Sequence, residues 1–175
     1  MNEQNTGPQF PCSERPEDPE HRSLLGIYEQ RQEGLHMQRV KVHRGRLTPQ
    51  QFGRLAKLAS SHSPDYPLHV TTRQDIQIHG VKPEDVSDVQ EGIDEAGLTT
   101  VGACGDSLRN VTTCPENGIR PGSIDVSGVA DAVRGAAESL PFIQDMPRKF
   151  KISISCCEDL CARPWINDMG LVARP

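Results

Sequence analysis

Met37-Gln-Arg-Val-Lys-Val-His43 alternates strictly, with Val40 and Val42 on one side and Arg39, Lys41 and His43 on the other. A two-residue period of this kind marks a strand with one buried face. Thr48-Pro49-Gln50-Gln51 follows it. Thr48 can cap a helix, Pro49 suits the first helical position, where no N–H is needed, and Gln51 completes a capping box. Phe52, Leu55, Ala56 and Ala59 then recur at helical spacing and predict that helix's buried face. Leu68 to His79 reads as extended; Ile76 and Ile78 point one way, Asp75, Gln77 and His79 the other. Pro83 opens a second helix with Val86, Val89, Ile93 and Ala96 inward, and Gly97 is placed to end it. Thr99 to Ala103 is a further strand. The order β-α-β-(β)-α-β is a split βαβ, or ferredoxin-like, unit.

On the N-terminal side, residues 1–23 hold Pro8, Pro11, Pro16 and Pro19 among polar and charged residues. Such a segment buries too little to offset its ordering entropy, so it is read as a disordered or extended arm, with Cys12 a bystander. On the C-terminal side, residues 105–122 are rich in Gly, Pro, Asn and Asp and read as a long, functional loop. Val126, Val129, Ala130, Val133, Ala137 and Leu140 predict a third helix, stopped by Pro141. Phe150, Ile152 and Ile154 alternate with Lys149, Lys151, Ser153 and Ser155 in a strand, and Met169 to Ala173 forms another. No repeat of fixed period is present. The fold class is α+β: a ferredoxin-like half-domain over 24–103, then the beginning of an α/β domain over 104–175.

The chain has 175 residues, of which 25% are charged and only 4% aromatic, with a formal charge of −5. That acidic balance argues against a nucleic-acid binder, whose footprint is basic. No apolar run approaches the ~18–20 residues of a membrane span, and Met1 to Cys12 lacks a signal-peptide stretch. The chain is therefore read as cytoplasmic. In a reducing compartment its six cysteines point to metal or redox chemistry rather than to disulfides.

The polar strand faces carry the chemistry. Arg39 and Lys41 lie on one strand, Arg73, Gln77 and His79 share parity on another, Lys149 and Lys151 on a third, and Arg109 sits in the glycine-rich loop. If these strands are neighbours the cations converge, and mutual repulsion demands an anionic ligand: a polycarboxylate cofactor or a small oxyanion. The competing reading is a set of solvated outer-face charges, some of them protecting a sheet edge. Cys157 and Cys161 stand one helical turn apart, and Cys104 and Cys114 precede them. Four thiolates suit an iron–sulfur cluster or a structural zinc, while buried free thiols are the simpler alternative. His69 and His79 lie beside the cationic strand; His36, His43 and His62 are read as surface residues and Trp165 as a packing residue. No hydrolytic triad, P-loop or dinucleotide fingerprint is present.

Leu35-His-Met-Gln-Arg39-Val-Lys-Val, Val70-Thr-Thr-Arg73-Gln-Asp-Ile-Gln77-Ile-His79-Gly80, Gly105-Asp-Ser-Leu-Arg109-Asn110-Val111 and Met146-Pro-Arg-Lys149-Phe-Lys151-Ile occur in that order. Together they resemble the sirohaem-dependent nitrite and sulfite reductases, from about Leu24 to Pro175. The resemblance implies an oxidoreductase performing six-electron reduction of nitrite or sulfite at a sirohaem coupled to a [4Fe–4S] cluster, with electrons from ferredoxin or a flavoprotein. It implies that Arg39, Arg109, Lys149 and Lys151 bind the oxyanion as catalytic residues. It assigns His69, Thr72, Arg73, Gln77, His79 and Asn110 to the sirohaem, and Cys157 and Cys161 to metal; Cys104 and Cys114 remain metal candidates on thiol count alone. Residues 104–175 become part of a sirohaem/[4Fe–4S] domain. The family pairs Cys-x5-Cys with Cys-x3-Cys, and this chain has only the second spacing. The family also continues beyond Pro175, so the chain is read as the front part of a longer reductase, lacking a C-terminal half and inactive alone. The alternatives are an inactive remnant or subunit that binds sirohaem or a partner, an iron–sulfur electron-transfer module, and a zinc-stabilised α+β domain.

Overall fold

Val40, Val42, Ile76 and Ile78 are all at most 4% exposed, so the two alternating segments bury one common face. The structure, a computed structural model, describes residues 19–174. In it β1 (Ile27–Glu29), β2 (His36–Val40), β3 (His69–Val70) and β4 (Ile76–Val81) form an antiparallel sheet in the order β1-β2-β4-β3. A short helix, α1 (Pro19–Leu24), leads into β1. Two longer helices, α2 (Pro49–His62) and α3 (Val86–Glu95), pack Leu55, Leu58, Ala59, Val86, Val89 and Ile93 against the valines and isoleucines of the sheet. The Thr48 hydroxyl accepts from Gln51 N at 3.1 Å and the Gln51 side chain accepts from Thr48 N at 3.0 Å, so the capping box is complete.

The second segment has its own core. The strands β5 (Thr112–Thr113), β6 (Ile152–Ser155) and β7 (Met169–Val172) run parallel in the order β5-β6-β7, and α4 (Ser127–Glu138) covers one face through Val126 and Ala130. The α+β reading describes this architecture.

Several local expectations change. Leu68–His79 is not one extended stretch, because a turn at Thr71–Asp75 separates β3 from β4. Thr99–Ala103 contributes only an isolated bridge, Lys41 to Thr99. β1 carries too short an apolar pattern to be read. Phe52 is 53% exposed, because Leu58 takes the inward position on α2. Val129 and Leu140 likewise face outward, and Trp165 is 65% exposed rather than packed. Ser153 and Ser155 are fully buried, since a central parallel strand is covered on both faces. His36 is buried, while His43 and His62 pair with Asp131 and Asp85. Of the arm expected over 1–23, residues 1–18 and Cys12 lie outside the described residues; Pro19–Leu24 is helical rather than extended. Among the described residues no helix is long and apolar enough to cross a membrane.

Candidate functional site

Adjacent registers on β2 and β4 place Arg39 opposite Gln77. With the Gln77 amide oxygen turned toward Arg39, it accepts from Nη2 at 2.5 Å and from Nε at 3.0 Å. The same amide reaches His79 Nε2 at 3.1 Å, and His79 Nδ1 meets Gln30 Nε2 at 3.2 Å. The His69 ring, from β3, lies against His79 with centroids 4.5 Å apart. Burial, then His69 and Arg39, holds the His79 imidazole below its usual range, so it is neutral near pH 7.

Between β3 and β4 the chain turns on Thr71, whose hydroxyl accepts from Arg73 N at 3.2 Å and Asp75 N at 3.1 Å. Gln74 sits at φ +62° in this turn, a conformation side chains rarely adopt, and its amide is held by both peptide groups of Thr113 (2.7 and 3.2 Å). Arg73 is thereby aimed into the second segment. Its guanidinium donates to Ile152 O at 2.9 Å, Asn167 Oδ1 at 2.5 Å and Asn110 O. Asn110 is fully buried and its Nδ2 donates to Val42 O at 2.7 Å and Arg73 O at 2.9 Å. Arg73 and Asn110 therefore join the two segments, leaving Arg73 Nε and Asn110 Oδ1 buried without a partner. Thr72 is exposed at the turn.

Arg109 bends back over its own loop, donating from Nε to Gly105 O at 3.1 Å and from Nη1 to Ala103 O at 3.0 Å. Arg109 N also donates to Phe150 O at 2.9 Å, which puts the peptides of Lys149 and Lys151 on either side of the Arg109 attachment. Lys149 N donates to Asp106 Oδ1 at 3.1 Å and Lys151 N to Asp168 Oδ2 at 2.8 Å. Two further groups from the polar strand faces, Lys41 and Asp75, complete the surroundings. Lys41 donates its ammonium to Leu108 O at 3.2 Å, and burial pushes its pKa down. Asp75, 3% exposed, accepts from Val42 N at 3.2 Å. Burial pushes Asp75 up to about 6, against the opposing pull of Lys41, Arg39 and Arg73. Asp75 and Lys41 share strand parity with the recognised residues, and the second segment reaches this face through Leu108 O and Asn110 Nδ2.

Arg44, Arg54, Arg120 and Arg134 each pair with a carboxylate. Among the described residues Arg39, Lys41, Arg73, Arg109, Lys149 and Lys151 have no carboxylate within 4.0 Å. Guanidinium and ammonium groups without a carboxylate partner, with Arg73 Nε a buried orphan donor, suit a ligand rich in carboxylates such as sirohaem, whereas the orphaned Asn110 Oδ1 is an acceptor and calls for a donor.

The thiols do not form the expected set. Cys104 is fully buried beside Arg39 and Arg109, which oppose the upward push of burial on its thiol. Cys114 instead contacts Cys156 and Cys161, and Cys157 lies 4.0 Å from Arg120 Nη1. Among the described residues no three His, Cys, Asp or Glu side chains are arranged to hold a metal ion. Cys104, Cys114, Cys157 and Cys161 are thus not one ligand set: Cys104 lies beside Arg39 and Arg109, Cys114 and Cys157 pack in the second core, and Cys161 is exposed. As placed, these four thiols do not fit a cluster.

Residues 28–96 match the family described as nitrite/sulfite reductase ferredoxin-like half domain, and residues 104–175 the nitrite and sulphite reductase 4Fe-4S domain. The assimilatory ferredoxin-dependent nitrite reductase of Haloferax mediterranei is 32% identical over 158 residues, covering 83% of this chain and 27% of that protein. The ferredoxin–nitrite reductase of Leptolyngbya laminosa is 33% identical over 145 residues, covering 80% and 28% respectively. Among solved structures, the Mycobacterium tuberculosis NirA protein superposes with a TM-score of 0.73 at 26% identity, over 85% of this chain and 30% of that one. Dissimilatory sulfite reductase I shares the fold, with a TM-score of 0.59 at 14% identity. The chain thus spans between a quarter and a third of the length of these relatives.

Proposed function

The chain belongs to the nitrite and sulfite reductase family, and from that membership we propose that it supplies the oxyanion- and sirohaem-binding face of a nitrite-reducing enzyme. The observation that carries this reading is the set of cations without a carboxylate partner at the end of β2 (Arg39 and Lys41), in the β3–β4 turn (Arg73) and in the Gly105–Arg109 loop (Arg109). Sirohaem, when bound, supplies the iron at which the anion is reduced. Arg73, Gln77 and His79 hold its carboxylates and ring edge, with His69, Thr72 and Asn110 beside them. Arg39, Arg109, Lys149 and Lys151 hold the anion, and the Lys149 and Lys151 ammonium groups carry protons that N–O cleavage consumes.

Nitrite is favoured over sulfite because the curated relatives above are ferredoxin-dependent nitrite reductases, and ferredoxin is the corresponding electron donor. The test loads the chain with sirohaem and follows the absorbance change on adding nitrite. Arg109→Ala or Lys149→Ala weakens nitrite binding by about tenfold, the scale of one charge-assisted hydrogen bond, with the fold intact by circular dichroism. Unchanged nitrite affinity in both variants overturns the assignment.

A further inference from the structure

Asp106 and Asp168 lie on either side of Lys149-Phe150-Lys151, and both direct a carboxylate oxygen at its backbone. Asp106 Oδ1 accepts from Lys149 N at 3.1 Å, and Asp168 Oδ2 accepts from Lys151 N at 2.8 Å. Between them Phe150 N donates to Ser107 O at 3.1 Å, and Phe150 O accepts from Arg109 N at 2.9 Å. The stretch precedes β6, and β7 begins only at Met169, so the β6–β7 ladder does not reach either lysine N–H. Two side chains, one from the Gly105–Arg109 loop and one from the residue before β7, supply the acceptors instead. Neither carboxylate takes the ammonium: among the described residues no carboxylate lies within 4.0 Å of the Lys149 or Lys151 side-chain nitrogen. An N–H that donates to an ionised carboxylate makes a bond roughly twice as strong as one to a neutral acceptor.

We propose that Asp106 and Asp168 are positioning residues of the anion site: by accepting from the peptide N–H groups of Lys149 and Lys151 they fix where the two side chains leave the backbone, and they leave both ammonium groups without a carboxylate. Phe150 forms a parallel bridge with Leu108, so the chain is extended here and the residues on either side of Phe150 project to one face. That the two ammonium groups then hold nitrite rests on the function proposed above; the anchoring of the two peptides does not. Each aspartate acts on a bound anion in two opposed ways. Its charge repels the anion, and its hydrogen bond places the cation that attracts it. Substitution separates the two effects, since Asn keeps an oxygen for the N–H and removes the charge, whereas Ala removes both.

The test compares Ala and Asn at each aspartate in the full chain. Both aspartates are exposed, so neither Ala variant opens a buried cavity. Amide hydrogen exchange, read by NMR in the chain without sirohaem, reports the anchoring. Asp106→Ala speeds exchange at Lys149 by about tenfold and leaves Lys151 as it was, Asp168→Ala does the reverse, and both Asn variants keep the protection. Absorbance titration of the sirohaem-loaded chain with nitrite reports the consequence. Both Ala variants bind nitrite about tenfold more weakly, although each has lost a negative charge, and both Asn variants bind it at least as tightly as the unmodified chain. Tighter binding in the Ala and Asn variants alike makes the aspartates repelling charges only and overturns the proposal. Equal weakening in Asn and Ala variants, or exchange at the two lysines that no variant changes, overturns it as well. Exchange that changes as described in a chain to which nitrite does not bind, with or without the substitutions, upholds the anchoring and removes the proposed function instead.

Discussion

Replacing Asp75 by Asn makes the chain more stable at neutral pH, although it removes a carboxylate from among cations. Asp75 is 3% exposed, and burial outweighs Lys41, Arg39 and Arg73 in setting its pKa. Its carboxyl, ordinarily at 3.8, titrates at about 6 in the folded chain. Between those values the folded state binds more protons than the unfolded state, so stability falls as pH rises through the interval. Above about pH 6 the ionised carboxylate costs the fold about 3 kcal/mol, at ~1.4 kcal/mol per pH unit. Asn has the shape of the protonated acid, and its Oδ1 still accepts from Val42 N, bonded at 3.2 Å in the native chain. Urea unfolding of both chains from pH 4 to pH 7.5 checks this. The difference is close to zero near pH 4 and grows to about 3 kcal/mol in favour of the Asp75→Asn variant by pH 7, with equal m-values. A difference independent of pH, or a less stable variant at pH 7, would show that burial does not dominate at this carboxyl.

Two further outcomes follow from the packing and the thiols. A methyl group added at Gly92 meets Leu58 Cδ2 at 2.5 Å between α3 and α2, so Gly92→Ala lowers stability by about 1–2 kcal/mol despite its helix propensity, and Leu58→Ala in the same chain relieves part of the loss. Full additivity of the two changes in urea unfolding contradicts that contact. Because the thiols do not assemble one ligand set, Cys161→Ser leaves the iron and acid-labile sulfide content of the purified chain unchanged, and a fall in both contradicts the geometry.

The half-domain was legible wherever one face is wet and the other dry. Val40, Val42, Ile76 and Ile78 alternate because α2 and α3 cover one side of the sheet, and the Thr48–Gln51 box is local chemistry that no tertiary contact overrides. The same alternation misleads where a second layer arrives. Asp75 and Ser153 share parity with polar residues yet are buried, Asp75 where Val42 N donates to it and Ser153 in the central strand of the parallel sheet. The cationic residues could be named from strand parity, but not which of them the fold occupies. Arg73 and Asn110 join two segments through carbonyl groups far away in sequence, and Gln30 reaches His79 across 49 positions. Cysteine spacing was the least informative signal, since the one-turn interval between Cys157 and Cys161 says nothing about Cys104 lying apart from them beside Arg39 and Arg109.

If the unpaired cations of this face bind one macrocycle through many carboxylates at once, the number of carboxylates on the macrocycle governs its affinity. Absorbance titration of the chain with sirohaem, which carries eight carboxylates, against protohaem, which carries two, measures that dependence. Sirohaem binds at least tenfold tighter than protohaem, and its advantage shrinks as salt is raised and is lost in Arg39→Ala. Equal affinity for the two macrocycles, insensitive to salt and to Arg39, would remove the cationic face as a sirohaem site.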